Sequence, residues 1–419
     1  MNPFDYRRYP SWCIVAAFFL VTSVSKGTFF DLKPTVERYL PNYDFYHNVT
    51  RMNECLHHIS SQYSDFMDVE MRYRSRLGLS QYVLRIANFS LDSVDNNTPD
   101  RRSRILLSYG EHAAEFFPVQ SMFHLLQNIT EGYDLPVGTY GGNFTRFLLK
   151  HFDLYLLTIA NPDGRVIIER TRNYCWKGTA NNADLNSDLE RELGNRRTVR
   201  IVAEPECRVI RDLTSKKHFD ALISFHSGNR QIYFPTIGKD PKVGGTDVFY
   251  LASLLSSSLK SDYTLTPVNN TVADESIFSY ATKEKKIIFT YKMCLWESEE
   301  TRSESPEKDC FSIFNPPSEN LQAELKAVHP LYPTLFNFIH HWKETQLYNE
   351  AEQQAKDKSA ATRRLSFSTL LFFFIMGCIG VFLIFSIRVP FTWKMYYRRQ
   401  RRIVSLRSLG TLFTLLIIP

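Results

Sequence analysis

Arg104-Ile105-Leu106-Leu107-Ser108-Tyr109-Gly110-Glu111-His112-Ala113-Ala114-Glu115 decides how this chain is read. A short apolar run bounded by a glycine has the character of a buried strand. It ends two residues before His112, and His112 and Glu115 stand three apart at its mouth. A strand-to-helix turn carries such a pair to one ion, and catalytic zinc takes three protein ligands and keeps one position open. His-x-x-Glu alone is weak, because surface helices carry it by accident. A third donor must come from elsewhere in the chain. His226 ends a second apolar run, Asp220-Ala221-Leu222-Ile223-Ser224-Phe225, and continues into Ser227-Gly228. Its bland alternative is a satisfied core histidine.

Other segments repeat the pattern. Tyr82–Ile86 alternates like a strand, Leu154–Ile159 is a further buried strand, and Ile287–Leu295 makes a fifth. Tyr43–Tyr63 and Phe116–Ile129 have helical spacing. Leu321–Trp342 reads as a long helix that Pro330 and Pro333 must kink or split. Strands alternating with helices predict a three-layer α/β domain, with candidate ligands at or just past strand ends.

Read together, the motifs resemble the zinc carboxypeptidases of the carboxypeptidase A type from about Tyr43 to Trp342. They are Gly110-Glu111-His112 to Glu115, Asn161-Pro162-Asp163-Gly164, Asp184-Leu185-Asn186, Glu204-Pro205-Glu206 and Ser224-Phe225-His226-Ser227-Gly228. Asp309-Cys310-Phe311 through Phe314-Asn315-Pro316 is similar to some divergent members. The resemblance implies a central mixed sheet with helices on both faces. It also implies Zn²⁺ held by His112, Glu115 and His226, and an activity that removes C-terminal residues from peptides or proteins.

Three departures fall in the catalytic and carboxylate-gripping set. Where the family has an oxyanion-stabilising Arg, this chain has Lys177, with Arg172 the alternative in a shifted register. Lysine keeps the charge and loses the planar fork. The Asn-Arg pair that grips the substrate carboxylate is here Asn186-Ser187, which removes a bidentate contact. The family's general-base Glu is replaced by Lys292, in Phe289-Thr290-Tyr291-Lys292-Met293. Strand alternation puts Thr290, Lys292 and Cys294 on one side. An ammonium accepts no proton and repels a nearby dication. The substrate-covering Tyr also lacks a clear counterpart; Thr266 falls near its place, with Tyr263 close by. Two functional classes follow. One is a membrane-anchored zinc carboxypeptidase with a rearranged base; the other is a zinc-binding pseudo-peptidase that captures peptide ends without hydrolysis.

The flanks predict topology. Residues 1–25 read as a signal peptide: Arg7 and Arg8, an apolar core, and Ser23 and Ser25 before Lys26. Residues 26–342 form the carboxypeptidase-like ectodomain and 343–364 a polar stalk. Leu365–Ile387 carries no charge and exceeds the ~30 Å bilayer core as a helix. Residues 388–419 make a basic tail without an acid, cytoplasmic by the positive-inside tendency. The reading is a single-pass type I membrane protein with its bulk lumenal or extracellular. The net charge of +6 belongs to these ends. Of 50 bases and 44 acids, nine bases and Asp5 lie in the flanks, leaving 41 against 43 between them. Nothing in that near-neutral middle suggests nucleic-acid binding.

Six sequons, at Asn48, Asn88, Asn96, Asn128, Asn143 and Asn269, lie in the predicted lumenal part as candidate glycosylation sites. Besides Cys13 and Cys378 in the apolar segments, Cys55, Cys175, Cys207, Cys294 and Cys310 remain for an oxidising compartment. Cys294 with Cys310 closes a short loop and Cys175 with Cys207 is an alternative; the sequence does not fix the pairing.

Overall fold

A computed structural model describes residues 41–92, 101–185, 204–236, 246–259, 262–269, 280–298 and 309–388. Eight strands form one mixed sheet, β1 Met67–Arg74, β2 Ser80–Ala87, β3 Ser103–Ser108, β4 Phe152–Leu157, β5 Ala221–His226, β6 Asn229–Thr236, β7 Thr264–Asn269 and β8 Phe289–Trp296, in the order β1-β2-β4-β3-β5-β8-β6-β7. The centre, β4-β3-β5-β8, is parallel. β1 and β2 form an antiparallel edge, and β6 runs antiparallel to β8.

The central strands are apolar on both faces because helices cover both. Ile105, Leu107, Ile223, Phe225, Tyr291 and Met293 point into the larger core. That core is covered by α1 (Val49–Gln62), α2 (Phe117–Asp134), α3 (Tyr140–His151), α4 (Pro162–Thr171) and α6 (Thr246–Ser258). Leu106, Leu157 and Leu222 point the other way, toward Val209, Ile210 and Leu213 of α5 (Arg208–Lys216). Charge also fixes register at the N-terminal end of the strands. Buried Asp153 accepts from Arg85 Nε at 2.7 Å and Arg104 Nε at 3.0 Å, which joins β2, β3 and β4.

Several expectations shift in detail. The helix expected over Tyr43–Tyr63 starts at Val49, because the Asn48 side chain caps it by accepting from Arg51 N. The edge strand β1 was not foreseen, although its sequence MDVEMRYR alternates apolar and polar residues; the strand lies half in solvent. The expected Leu321–Trp342 helix is two: α8 (Leu321–Val328) and α9 (Leu331–Arg388). The break falls at Pro330, whereas Pro333 sits in the first turn of α9, where a missing N–H costs nothing.

The cysteine pairings named above are replaced by one disulfide, Cys175–Cys310, whose ends are 135 positions apart in sequence. Cys310 opens the short α7 (Cys310–Phe314), which packs on the α2 and α4 side of the sheet. Cys294 is buried on the opposite face, and Cys207 is buried with its thiol toward Leu185 O. Among the sequons, Asn143 is exposed on α3 and Asn128 donates its amide to His124 O within α2. Asn88 caps a short turn, Asn269 ends β7, and Asn96 lies outside the described residues.

Contacts divide the chain after Trp342. From Lys343 the second unit follows α9 to Arg388, and a stretch of mean hydropathy 2.5 makes this helix long and apolar enough to cross a membrane. Residues 1–25 and the tail beyond Arg388 lie outside the described residues.

Candidate metal centre

Gly110 shapes the start of the site. Its φ of +65° turns the chain sharply after β3, and an added Cβ would press on Ile159 Cγ2 at 3.2 Å. The loop is then tied down on three sides. Ala113 N donates to Lys177 O at 3.0 Å. Asn161 donates from Nδ2 to Gly178 O at 2.9 Å and Glu111 O at 3.3 Å. Asn315 Oδ1 accepts from Phe116 N at 2.7 Å and Phe117 N at 2.9 Å, and its Nδ2 reaches Ala114 O and Phe311 O. Every bond that an amide side chain can make is used. Phe116 offers no cap of its own, so Asn315 closes the N-terminus of α2 directly after Glu115.

Ligand atoms of His112, Glu115 and His226 lie within 4.8 Å of one another. His112 Nδ1 is 2.8 Å from Glu115 Oε1, and His226 Nδ1 is 2.9 Å from Glu115 Oε2. Both imidazoles therefore turn the same nitrogen toward one carboxylate. Burial opposes ionisation of Glu115, yet the two rings outweigh it and hold the carboxyl far below its ordinary range. Burial likewise disfavours a charged His112, but Glu115 and Asp184 reverse that and raise it to about 9, while Lys292 pulls the other way.

The remote nitrogens have partners of their own. His112 Nε2 faces Asp184 Oδ1 at 3.5 Å. His226 Nε2 lies 2.7 Å from Ser224 Oγ and 3.3 Å from Glu111 Oε2. Glu111 Oε1 accepts from Ser108 Oγ at 2.6 Å and Ser224 Oγ at 2.8 Å. Burial works against the Glu111 charge, and His226 with the two hydroxyls lowers its pKa nonetheless.

Lys292 stands beside this cluster. β5 and β8 pair Ser224 with Lys292 and His226 with Cys294, so all four side chains share one face of the sheet. Its Nζ lies 5.8 Å from the Tyr233 ring centre. Lys292 is half-buried, and its charge is felt by both His112 and Cys294. Burial pushes the Cys294 thiol up to about 12. Lys177 holds its Nζ 4.5 Å over the Phe314 ring, which in turn lies against Gly228 just past His226.

Other expected residues fall elsewhere. Arg172 is the exposed left-handed cap of α4, with its charge felt at Tyr43, and is not gathered with the three ligands. Asn186 and Ser187 lie outside the described residues. Tyr263 is buried, donating to Leu295 O at 2.8 Å, so it is core rather than a cover; Thr266 pairs with Tyr233 on β7. Sequence reasoning missed Glu111, Ser108 and Ser224. The signal was an acid adjoining a histidine at a strand mouth, with a serine two residues before each histidine-bearing turn.

A family model described as zinc carboxypeptidase matches residues 52–328. The chain belongs to the zinc carboxypeptidase family. Among solved structures, carboxypeptidase A from Helicoverpa armigera is similar at 15% identity and TM-score 0.55, covering 79% of this chain and 80% of that one. Bovine thrombin-activatable fibrinolysis inhibitor, in complex with tick carboxypeptidase inhibitor, is similar at 17% identity and TM-score 0.51, covering 71% and 98%. A metallo-carboxypeptidase from Burkholderia cenocepacia gives 14% identity and TM-score 0.50, covering 70% of each chain. These likenesses show the fold. No curated protein matches by sequence. The zinc that the family name implies suits this donor set: two imidazoles and one carboxylate converge, and both rings keep a partner on the far nitrogen.

Proposed function

We propose that this zinc carboxypeptidase family member holds Zn²⁺ through His112, Glu115 and His226 and receives the C-termini of peptides or proteins, with hydrolysis disabled at Lys292. The observation that carries the reading is the shared sheet face of Ser224, His226 and Lys292. When bound, zinc supplies Lewis-acid polarisation of a carbonyl and a lowered pKa for water. Glu115 and the two histidines hold it, and Asp184 orients the His112 ring. Lys177 brings a cation to the rim, where it can stabilise charge on a carbonyl oxygen or pair with a terminal carboxylate. As an ammonium, Lys292 accepts no proton from the attacking water. It supplies a second positive charge that favours an anionic peptide end over turnover. Loss of a general base costs about 10²–10⁴ in rate.

Residues 365–387 would anchor the protein as a single-pass type I membrane protein, with residues 26–342 lumenal or extracellular, 343–364 as stalk and 388–419 as cytoplasmic tail. The apolar part of α9 supports an anchor, and the exposed Asn143 sequon suits a glycosylated exterior.

The intact donor trio also supports a second reading, a slow carboxypeptidase with a rearranged base. One experiment separates the two. The purified protein is analysed for zinc and given peptides with free or amidated C-termini, with and without chelator. Binding of free termini at one zinc per chain without release of residues is expected. Chelator-sensitive release at ordinary carboxypeptidase rates would overturn the proposal.

A further inference from the structure

We infer that Glu111 is a positioning residue that fixes which nitrogen His226 presents to the metal, acting through a closed hydrogen-bond set with Ser224 and Ser108. The inference rests on the zinc reading above. Ser224 has one hydroxyl proton, and Glu111 Oε1 takes it at 2.8 Å. Toward His226 Nε2, 2.7 Å away, the same hydroxyl can then only accept. That nitrogen must carry the proton. Glu111 Oε2 faces it at 3.3 Å and has no other hydrogen-bond partner among the described residues, so it offers the proton a second acceptor. With a metal bound, His226 Nδ1 then offers its lone pair, on the side where Glu115 and His112 Nδ1 converge.

Local structure explains how the acid gets there. The left-handed turn at Gly110 reverses the chain after Ser108, folding Glu111 back against the end of its own strand. Asn161 Nδ2 then holds its carbonyl. Glu111, Ser108 and Ser224 are all buried, Glu111 being 2% exposed. A carboxylate so far from water costs stability unless positive charge compensates it. Here the ring it faces is a metal-ligand candidate, and a dication on the far nitrogen would supply that charge. Ser108, Ser224 and His226 already compensate the carboxylate in the metal-free fold, and the dication would add to them, so Glu111 favours the loaded fold more strongly than the metal-free one. A residue that merely packs would favour both equally.

The test uses the full-length protein. Zinc affinity is measured by chelator competition, and melting is followed with and without metal. Glu111→Gln is expected to weaken zinc binding by about 10–100-fold, with a smaller loss of melting temperature without metal than with it. Ser224→Ala should have a smaller effect, since Glu111 Oε2 still faces Nε2, and Ser108→Ala a smaller one again. Zinc affinity for Glu111→Gln within about threefold of the parent, or equal loss of stability in both states, would overturn the inference. Should Glu111→Gln not fold, the unmodified chain loaded with NMR-active cadmium and labelled in its histidine nitrogens still decides. Coupling of the metal to His226 Nδ1 with a slowly exchanging Nε2 proton is expected; coupling to Nε2 overturns it. A parent chain that takes up no zinc defeats both this inference and the metal-centre reading, whereas uptake indifferent to residue 111 defeats the inference alone.

Discussion

Ser224 and Lys292 face each other directly across the parallel β5–β8 ladder. The strand that delivers His226 and the strand that carries the amine thus present both to one face. Lys292→Glu would place a proton acceptor there. Hydrolysis of a C-terminal residue is expected to rise by about 10²–10⁴ over the parent, further when combined with Ser187→Arg, as measured by amino-acid release. No gain in either variant with zinc bound would show that more than the base has been lost.

Asn315 makes four bonds to the segment that carries Glu115 and to α7. Removing them leaves two amides and the Ala114 carbonyl without this partner in a buried site, while Phe311 O still accepts from the residue-315 backbone N at 3.0 Å. Asn315→Ala should cost about 3–5 kcal/mol, since each unsatisfied buried group costs about 1–3. Chemical denaturation measures it, and Asn315→Asp, which keeps the acceptor alone, should fall between.

Glu206 provides a pH signature distant from the metal. It is buried beside Asp163 and Glu204, and burial, joined by those two acids, raises its pKa from 4.5 to about 7. The folded chain therefore binds this proton more tightly than the unfolded one. The resulting stability is full below about 4.5 and lost as pH rises through about 7. Melting temperature should decline across that window, and Glu206→Gln should flatten the decline. An unchanged profile in the variant would assign the pH dependence elsewhere.

Arg165 is a fully buried guanidinium, 3.3 Å above the Phe116 ring, with Nη2 donating to Glu115 O at 3.4 Å. Its Nε and Nη1 lack partners among the described residues, and burial pushes its pKa down to about 10. A buried charge whose donors are not all hydrogen-bonded costs stability, and an apolar side chain of similar volume removes that cost. Arg165→Met should melt at or above the parent temperature. A clear fall would show that its bond to the Glu115 carbonyl outweighs the burial cost.

The parallel centre was legible because strands covered on two faces have little freedom in composition: Leu154–Leu157 and Ala221–Phe225 are apolar without interruption. The metal-ligand candidates were legible for the same reason, standing where such runs end. Strand alternation also put Lys292 on the face it occupies. The edges were harder to read. β1 alternates apolar and polar residues but buries only Met67 and Tyr73, and β6 and β7 owe their pairing to contacts far along the chain. The disulfide was out of reach because sequence distance says nothing about which side of a sheet a thiol faces. Glu111 was quoted within a motif and passed over, since its role depends on two serines brought in by separate strands.

The Cys175–Cys310 link joins the segment before Lys177 to the one leading into Asn315. It ties the loop that carries Lys177 to the segment whose Asn315 caps the helix after Glu115. A chain made where thiols stay reduced would keep its sheet and lose that clamp, and the floor under Glu115 would slacken first.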